Sequence, residues 1–281
     1  MRVIETLEEL TRTLEKERAS GRQVGLVPTM GALHAGHLSL VERARAECDT
    51  VVLTIFVNPL QFDCREDLEK YPRDDADDLE KARRARVDDV FLPAVEEMYP
   101  DRVLTSVRVS GLTEGLEGAS RPGHFDGVAT VVAKIFAAVG ACRAYFGEKD
   151  YQQLLVVRRL AADLSFPIEV VGCETVREAD GLALSSRNVR LAPAERAAAP
   201  VLFLALQAGR RAVDAGEHRP ERIARAMADV VGAEPLARID YAEAVDAADL
   251  SVPAIFEGDV RLLVAAHIGS TRLIDNLAAS T

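Results

Sequence analysis

Two histidines three residues apart stand just beyond a short apolar run, in Val27-Pro28-Thr29-Met30-Gly31-Ala32-Leu33-His34-Ala35-Gly36-His37. Gly31 and Gly36 allow the backbone to approach a ligand closely, and a helix starting near Gly36 aims its free N–H groups and positive dipole end at whatever lies there. Such a terminus favours a phosphate. Once the helix has begun, His34 and His37 share a face, and both can donate hydrogen bonds to a charged phosphate chain. The same spacing also fits two capping or core histidines, or half of a zinc site, although no Cys or Glu stands at a convincing spacing for a third ligand.

Two further clusters carry the same logic. Phe146-Gly147-Glu148-Lys149-Asp150-Tyr151-Gln152-Gln153 places a glycine and a lone lysine at a strand-to-helix junction, with Lys149 a point charge for phosphate. A solvated surface pair between Lys149 and its acidic neighbours is the alternative. In Thr175-Val176-Arg177-Glu178-Ala179-Asp180-Gly181-Leu182-Ala183-Leu184-Ser185-Ser186-Arg187-Asn188, two hydroxyls and a guanidinium follow one another on a glycine-bearing segment. That order suits a mobile clamp on a polyphosphate; a helix N-cap by Ser185 or Ser186 fits it too.

The elements that must position these groups read as a βαβ unit: strand Val24–Val27, a turn at Pro28–Gly31, a helix from Gly36 to Glu47 and the β-branched strand Thr50–Val57. A helix from Thr6 to Ala19 precedes it. The rhythm continues through helix Asp75–Arg86, strands Asp89–Leu92 and Ser106–Val109, helix Phe125–Val139, strand Ala144–Phe146, helix Tyr151–Leu164 and strand Ile168–Val171. Strands alternating with helices imply a mostly parallel α/β sheet, doubly wound and Rossmann-like, with ligands beyond the carboxyl ends of its strands. From about Val176 the pattern changes to two alanine-rich helices, Pro193–Ala215 and Arg219–Val231, followed by an antiparallel-looking pair, Arg238–Val245 and Asp259–Ala266. A second, smaller α+β domain is expected, dividing the chain into 1–175 and 176–281.

The bulk composition narrows the class. A chain of 281 residues, at about 150 per domain, has room for two domains. With 34 basic against 45 acidic residues, the net charge of −11 argues against a general nucleic-acid or membrane-surface partner while leaving room for a local basic pocket. No apolar stretch approaches the roughly 18 residues of a membrane span, and Met1-Arg2-Val3-Ile4-Glu5 carries no apolar signal region, so a cytoplasmic location is expected. Cys48, Cys64, Cys142 and Cys173 are too scattered for a disulfide framework and read as reduced, mostly buried small hydrophobes.

Pro28–His37 resembles the HxGH signature of the nucleotidyltransferase superfamily, and Leu184–Arg187 resembles its later phosphate-clamping loop. Within that superfamily the chain is most similar to the pantoate–β-alanine ligases. The likeness runs through Pro28–His37, Phe56-Val57-Asn58-Pro59-Leu60-Gln61-Phe62, Glu66-Asp67 with Tyr71-Pro72-Arg73, Arg121-Pro122-Gly123-His124-Phe125, Gly147–Gln153, Glu174–Asn188 and Thr271-Arg272-Leu273-Ile274-Asp275-Asn276. It departs at Asp63-Cys64-Arg65, at Asp74 and at Leu184, and no presumed catalytic group is among these.

The resemblance implies an ATP-dependent ligase that condenses pantoate with β-alanine through a pantoyl adenylate. By position, Met30, Gly31, Ala32, Leu33, His34, Ala35, Gly36 and His37 would line the ATP site with Gly147, Glu148, Lys149, Asp150, Val176, Leu184, Ser185, Ser186 and Arg187. The imidazoles, Lys149 and the Ser185-Ser186-Arg187 group are its catalytic candidates, expected to meet one triphosphate. The resemblance implies that His37 is the proton donor, and on physical grounds its expected role is mainly electrostatic. Gln61 and Gln153 would hold pantoate, Gln61 would also meet β-alanine, and Asn58 and Arg121 complete the substrate residues, unless Arg121 simply anchors its own loop.

Mg²⁺ would bridge the ATP phosphates. Asp77 and Asp78, in the acid-rich Asp74–Asp78, are its expected ligands, unless that run is an acidic first helical turn opposing the dipole. A homodimer and a second domain that closes over ATP complete the expectation. An adenylyltransferase that leaves AMP or CMP on its product would share the histidines but have no use for Gln61 and Gln153. A non-catalytic nucleotide sensor would bind ATP without turnover.

Overall fold

The computed structural model describes residues 1–63 and 65–281, residue 65 by its backbone alone, so the expectations resting on Cys64 and on the turn through it lie outside the described residues. By their contacts these residues form two compact units: Met1–Glu148 with Gln152–Glu174, and Lys149–Tyr151 with Thr175–Thr281.

The first unit runs β1 (Arg2–Ile4), α1 (Leu7–Ala19), β2 (Val24–Thr29), α2 (Ala35–Glu47), β3 (Thr50–Ile55), α3 (Arg65–Glu69), α4 (Asp75–Arg84) and β4 (Asp89–Phe91). It continues through α5 (Val95–Met98), α6 (Glu117–Ser120), α7 (His124–Val139), β5 (Cys142–Gly147), α8, which starts at Tyr151 and ends at Asp163, and β6 (Ile168–Cys173). Its six strands are all parallel, in the order β1-β4-β3-β2-β5-β6. Val51, Val52 and Leu53 of β3 are fully buried in succession, as a strand covered on both faces requires.

The strand order reverses between β2 and β5, so the crevice beyond their carboxyl ends is where a doubly wound sheet takes its ligands. The Thr29 carbonyl accepts from Phe56 on the β3 side, which turns Pro28 toward β5, where pairing has already ended at Leu26. A residue without an N–H therefore costs no rung.

In the second unit α9 (Pro193–Ala198), α10 (Val201–Asp214) and α11 (Pro220–Gly232) accompany the antiparallel sheet β7 (Ala237–Asp246), β8 (Asp259–Ile268) and β9 (Thr271–Ser280). Leu202 and Leu206 of α10, Ile223 and Met227 of α11, and Leu262 and Val264 of β8 form its core. A Cβ at Gly209 would lie 2.8 Å from Met227 Cγ, so this glycine sets how closely α10 and α11 pack.

The parallel sheet and the smaller antiparallel one agree with the expected α/β and α+β architectures, and three details differ. Ser106–Val109 is not a strand: the Val107 N–H is satisfied by Thr130 Oγ1 of α7 at 2.9 Å, a side-chain partner in place of a ladder. The expected helix Pro193–Ala215 is two helices, because Pro200 offers no N–H and ends the first. The antiparallel pair is a trio. β9 escaped the pattern because polar Asp275 and Asn276 occupy buried positions, 4% and 2% exposed, and interrupt the apolar alternation.

Candidate active site

The turn leaving β2 is clamped by a carboxylate. Gly31 (φ +78°) and Ala32 (φ +50°) are both left-handed, which turns successive N–H groups to one side. Asp78, in the first turn of α4, fills the concavity: its Oδ2 accepts from Ala32 N and its Oδ1 from Leu33 N, both at 2.7 Å. A Cβ on Gly31 would lie 2.8 Å from Asp78 Oδ2, so only glycine fits beneath that carboxylate. Thr29 Oγ1 accepts from Gly31 N at 3.1 Å and donates to Thr54 O at 2.6 Å, and Lys81 Nζ donates to Leu33 O at 2.8 Å.

The two carboxylates expected at magnesium both have partners within the protein. Asp78 is 1% exposed with both oxygens engaged by the turn, and Asp77 pairs with Lys81 at 2.5 Å. Among the described residues, no group of three or more His, Cys, Asp or Glu is arranged to hold a metal ion. Asp78 is thus spent on the turn, while Asp77 is half-exposed in its pair with Lys81. They belong to the acidic first turn of α4, whose N-cap is Asp74, its side chain accepting from Asp77 N at 3.0 Å.

Beyond the clamp, His34 is the N-cap of α2 and His37 its third residue. His34 Nδ1 accepts from Gly36 N at 3.1 Å and His37 Nδ1 accepts from His34 N at 3.4 Å, a reciprocal capping pair with ring centroids 4.1 Å apart. The capping alternative is therefore realised, and it has a chemical consequence. With both Nδ1 atoms accepting, each neutral ring carries its proton on Nε2. Capping through Nδ1 thus sets two Nε2–H donors at the N-terminus of a helix, where an anion is favoured.

A second group forms behind the one-turn 3₁₀ helix Pro59–Gln61. Gln61 is buried; its Oε1 accepts from Asn58 Nδ2 at 3.1 Å and its Nε2 donates to Met30 Sδ at 3.0 Å. Its carbonyl takes His124 Nδ1 at 2.7 Å and Arg121 Nη2 at 3.3 Å. Asn58, 1% exposed, also donates to Gly127 O at 3.0 Å and accepts from Tyr99 O–H at 2.9 Å. A Cβ on Gly127 would stand 2.2 Å from Leu60 O, so the close approach of α7 to this turn depends on that glycine. Met30, Asn58, Gln61 and Arg121 are thus brought together. Gln153 lies partly exposed on α8, while its buried neighbour Gln152 donates to Leu112 O and Gly115 O and accepts from Glu117 N.

Sequence reasoning missed Asp78 as a clamp, and Tyr99 and His124 as supports. His124 stood within a quoted motif, whereas nothing local marks Tyr99.

In the second unit, Lys149 Nζ lies 3.5 Å from Asp150 Oδ1. Leu184 N donates to Val176 O at 3.0 Å and Arg177 bridges Ala183, folding the 176–184 segment back on itself. Ser185 caps the 3₁₀ helix Ser186–Arg190 by accepting from Arg187 N at 3.2 Å, which leaves its hydroxyl proton to donate elsewhere. The expected mobile clamp is anchored at several points: Arg177 pairs with Asp275, and Arg196 pairs with Glu178 and Asp180.

Cys48, Cys142 and Cys173 are buried free thiols, and burial pushes Cys142 up to about 12 and Cys173 to about 11, which makes both poor nucleophiles. No described helix is long and apolar enough to cross a membrane.

A sequence profile described as pantoate-beta-alanine ligase matches residues 2–278. The chain belongs to the pantoate–β-alanine ligase family. It is 55% identical over 276 residues to a pantothenate synthetase of Cereibacter sphaeroides, covering 98% of each chain. A pantothenate synthetase of Heliobacterium modesticaldum is 50% identical over 277 residues, covering 99% of each. The solved pantothenate synthetase of Thermus thermophilus superposes with a TM-score of 0.93 at 52% identity, covering 99% of both chains. The pantoate-beta-alanine ligase of Francisella tularensis, solved in complex with beta-gamma ATP and beta-alanine, gives 0.81 at 31% identity, covering 99% of this chain and 97% of its own. The ligase fold therefore extends over essentially the whole chain.

Proposed function

We propose that this ligase joins pantoate to β-alanine with ATP through an enzyme-bound pantoyl adenylate, releasing AMP and pyrophosphate. The observation that carries the reading is the family match across residues 2–278. The pantoate carboxylate attacks the α-phosphorus and the bond to the pyrophosphate oxygen breaks. The β-alanine amine then attacks the acyl carbon and loses a proton as AMP departs. No covalent enzyme intermediate is required.

Negative charge builds on the phosphoryl oxygens and on pyrophosphate during the first step, so preorganised donors at those positions lower the barrier. His34 and His37 supply Nε2–H donors. Lys149, Ser185, Ser186 and Arg187 supply an ammonium, two hydroxyls and a guanidinium. Met30–Gly36, Gly147–Asp150, Val176 and Leu184 complete the nucleotide-binding set. Gln61 and Gln153 bind pantoate, Gln61 also meets β-alanine, and Asn58 and Arg121 hold Gln61 in place. A site built from such amides rejects analogues lacking the substrate hydroxyls.

The first domain, 1–175, recognises nucleotide and pantoate, and 176–281 contributes the later phosphate-binding residues. Mg²⁺ would bridge the ATP phosphates, and Asp77, half-exposed and paired with Lys81, is the member of the expected Asp77–Asp78 pair able to exchange its partner for it. The ligase works as a cytoplasmic homodimer, which size-exclusion chromatography with light scattering checks for the assembly.

The decisive experiment incubates the purified chain with Mg·ATP, labelled pyrophosphate and pantoate. Label enters ATP without β-alanine if an adenylate forms, and AMP accumulates only when β-alanine is added. Absence of exchange overturns the reading.

A further inference from the structure

The motif Thr271–Asn276 has no part in the scheme above, and the structure places its last two residues at the centre of a buried network. Asn276, 2% exposed on β9, donates from Nδ2 to the Lys149 carbonyl at 2.7 Å. Its Oδ1 accepts from Arg261 Nε at 2.7 Å, and the Arg261 guanidinium stacks 3.9 Å from the centroid of the Tyr151 ring. The Tyr151 hydroxyl donates to Ala247 O at 2.8 Å. Beside Asn276, Asp275 accepts its neighbour's N–H at 2.7 Å and receives both Arg177 nitrogens, at 2.5 and 2.9 Å. Arg177 also donates to Asn276 O at 3.1 Å and to Gly181 O at 3.0 Å.

The consequence is topological as well as local. Lys149–Tyr151 is the one piece of chain before Thr175 that groups with the second unit, and each of its outer residues is held there by a named bond: Lys149 by Asn276, Tyr151 by Arg261 and Ala247. Burial pushes the Asp275 carboxyl up while Arg177 and, more weakly, Lys149 pull it down, so the lysine's charge is felt at the network. An amide that donates to a backbone carbonyl fixes the peptide plane bonded to that residue's own Cα, and so where its side chain starts, and a placement error of an ångström at a phosphate-binding cation is costly.

We infer that Asn276, with Asp275 and Arg177 behind it, is a positioning residue that sets Lys149 for the nucleotide. The inference rests on the proposed role of Lys149 toward ATP. It assigns the C-terminal strand a part in the first half-reaction and none in pantoate recognition.

The test is a double-mutant cycle on the full chain with Lys149→Ala and two Asn276 variants. Asn276→Ala removes the donor and the acceptor. Asn276→Asp keeps an acceptor for Arg261 and removes only the donor to Lys149. Both lower kcat/KM for ATP by about tenfold, leave KM for pantoate within about twofold, and add nothing in the Lys149→Ala background. Near-ultraviolet circular dichroism shows which variants are folded, and one folded variant suffices. Multiplicative losses in the double variants, or parallel losses for ATP and pantoate, mean a merely structural strand and overturn the inference. Asn276 variants at the parental rate, with Lys149→Ala impaired, overturn this inference alone. A Lys149→Ala enzyme at the parental rate instead overturns the assignment of Lys149 to ATP, and the two failures are thereby told apart.

Discussion

Two buried carboxylates, one in each unit, hold the candidate nucleotide residues by opposite means. Asp78 spends both oxygens on backbone N–H groups of a left-handed turn, so it reads main-chain shape and specifies Gly31 beneath it. Asp275 faces a guanidinium that is itself supported by two carbonyls and by the Phe203 ring, 4.3 Å from its centroid. The first arrangement cannot be satisfied by an amide without turning a donor toward a donor. The second shares its load among several partners. The first clamp therefore works through backbone geometry, and the second through side chains far apart in the chain.

The largest expected effects fall on the groups these clamps serve. His37→Ala and Lys149→Ala each lower turnover by about two decades or more in steady-state assays, with circular dichroism unchanged. Parental rates for both variants would refute the roles assigned to them. The clamps rank next. Asp78→Asn forfeits charge-assisted bonds of about 1.5–3 kcal/mol each, so it lowers the melting temperature by several degrees and kcat/KM for ATP by about one decade or more. Raising Mg²⁺ does not restore it; recovery at high Mg²⁺ would make Asp78 a metal ligand and break the comparison.

Tyr99→Phe sharpens the picture on the substrate side. Removing the hydroxyl that donates to Asn58 raises KM for pantoate a few-fold, about 1 kcal/mol or less, while KM for ATP stays at the parental value. Equal changes in both constants would place Tyr99 in the general scaffold.

The smallest effect concerns the second unit's sheet. His267 on β8 pairs with Arg238 on β7 and Arg272 on β9, and burial, reinforced by both guanidinium charges, lowers its pKa below the ordinary 6.5. The folded state then resists a proton that the unfolded chain accepts, so this contribution to stability is lost as pH falls below about 6.5 toward the lower folded value. His267→Gln flattens the melting temperature against pH between about pH 7 and 5. An unaltered slope would show that His267 titrates alike in both states.

Much of the architecture was legible because it follows from period. The buried runs at Val24–Thr29 and Thr50–Ile55, with a helix between them, announce a parallel unit from their apolar pattern alone. Ser106–Val109 carried the same β-branched signature and did not pair, since its backbone found Thr130 first. At the site, the HxGH spacing pointed to a phosphate-binding helix start, and the capping alternative it left open occurs at the same residues. At Asp77 and Asp78 the sequence left two readings open, because an acidic cluster looks alike whether its partner is a metal or a main-chain amide.

What the order of residues determined alone is the alternation that makes a doubly wound sheet, the glycines and histidines at its first crossover, and membership of a ligase family. Those are local or periodic properties, and neighbours in sequence carry them. Only the tertiary structure decided that Asp78 closes the turn 45 residues before it, that Gln61 is held by Arg121 and His124, and that Asn276 grips Lys149 across 127 positions. The physical reason is that a hydrogen bond depends on where two groups stand in space, and no spacing along the chain encodes that.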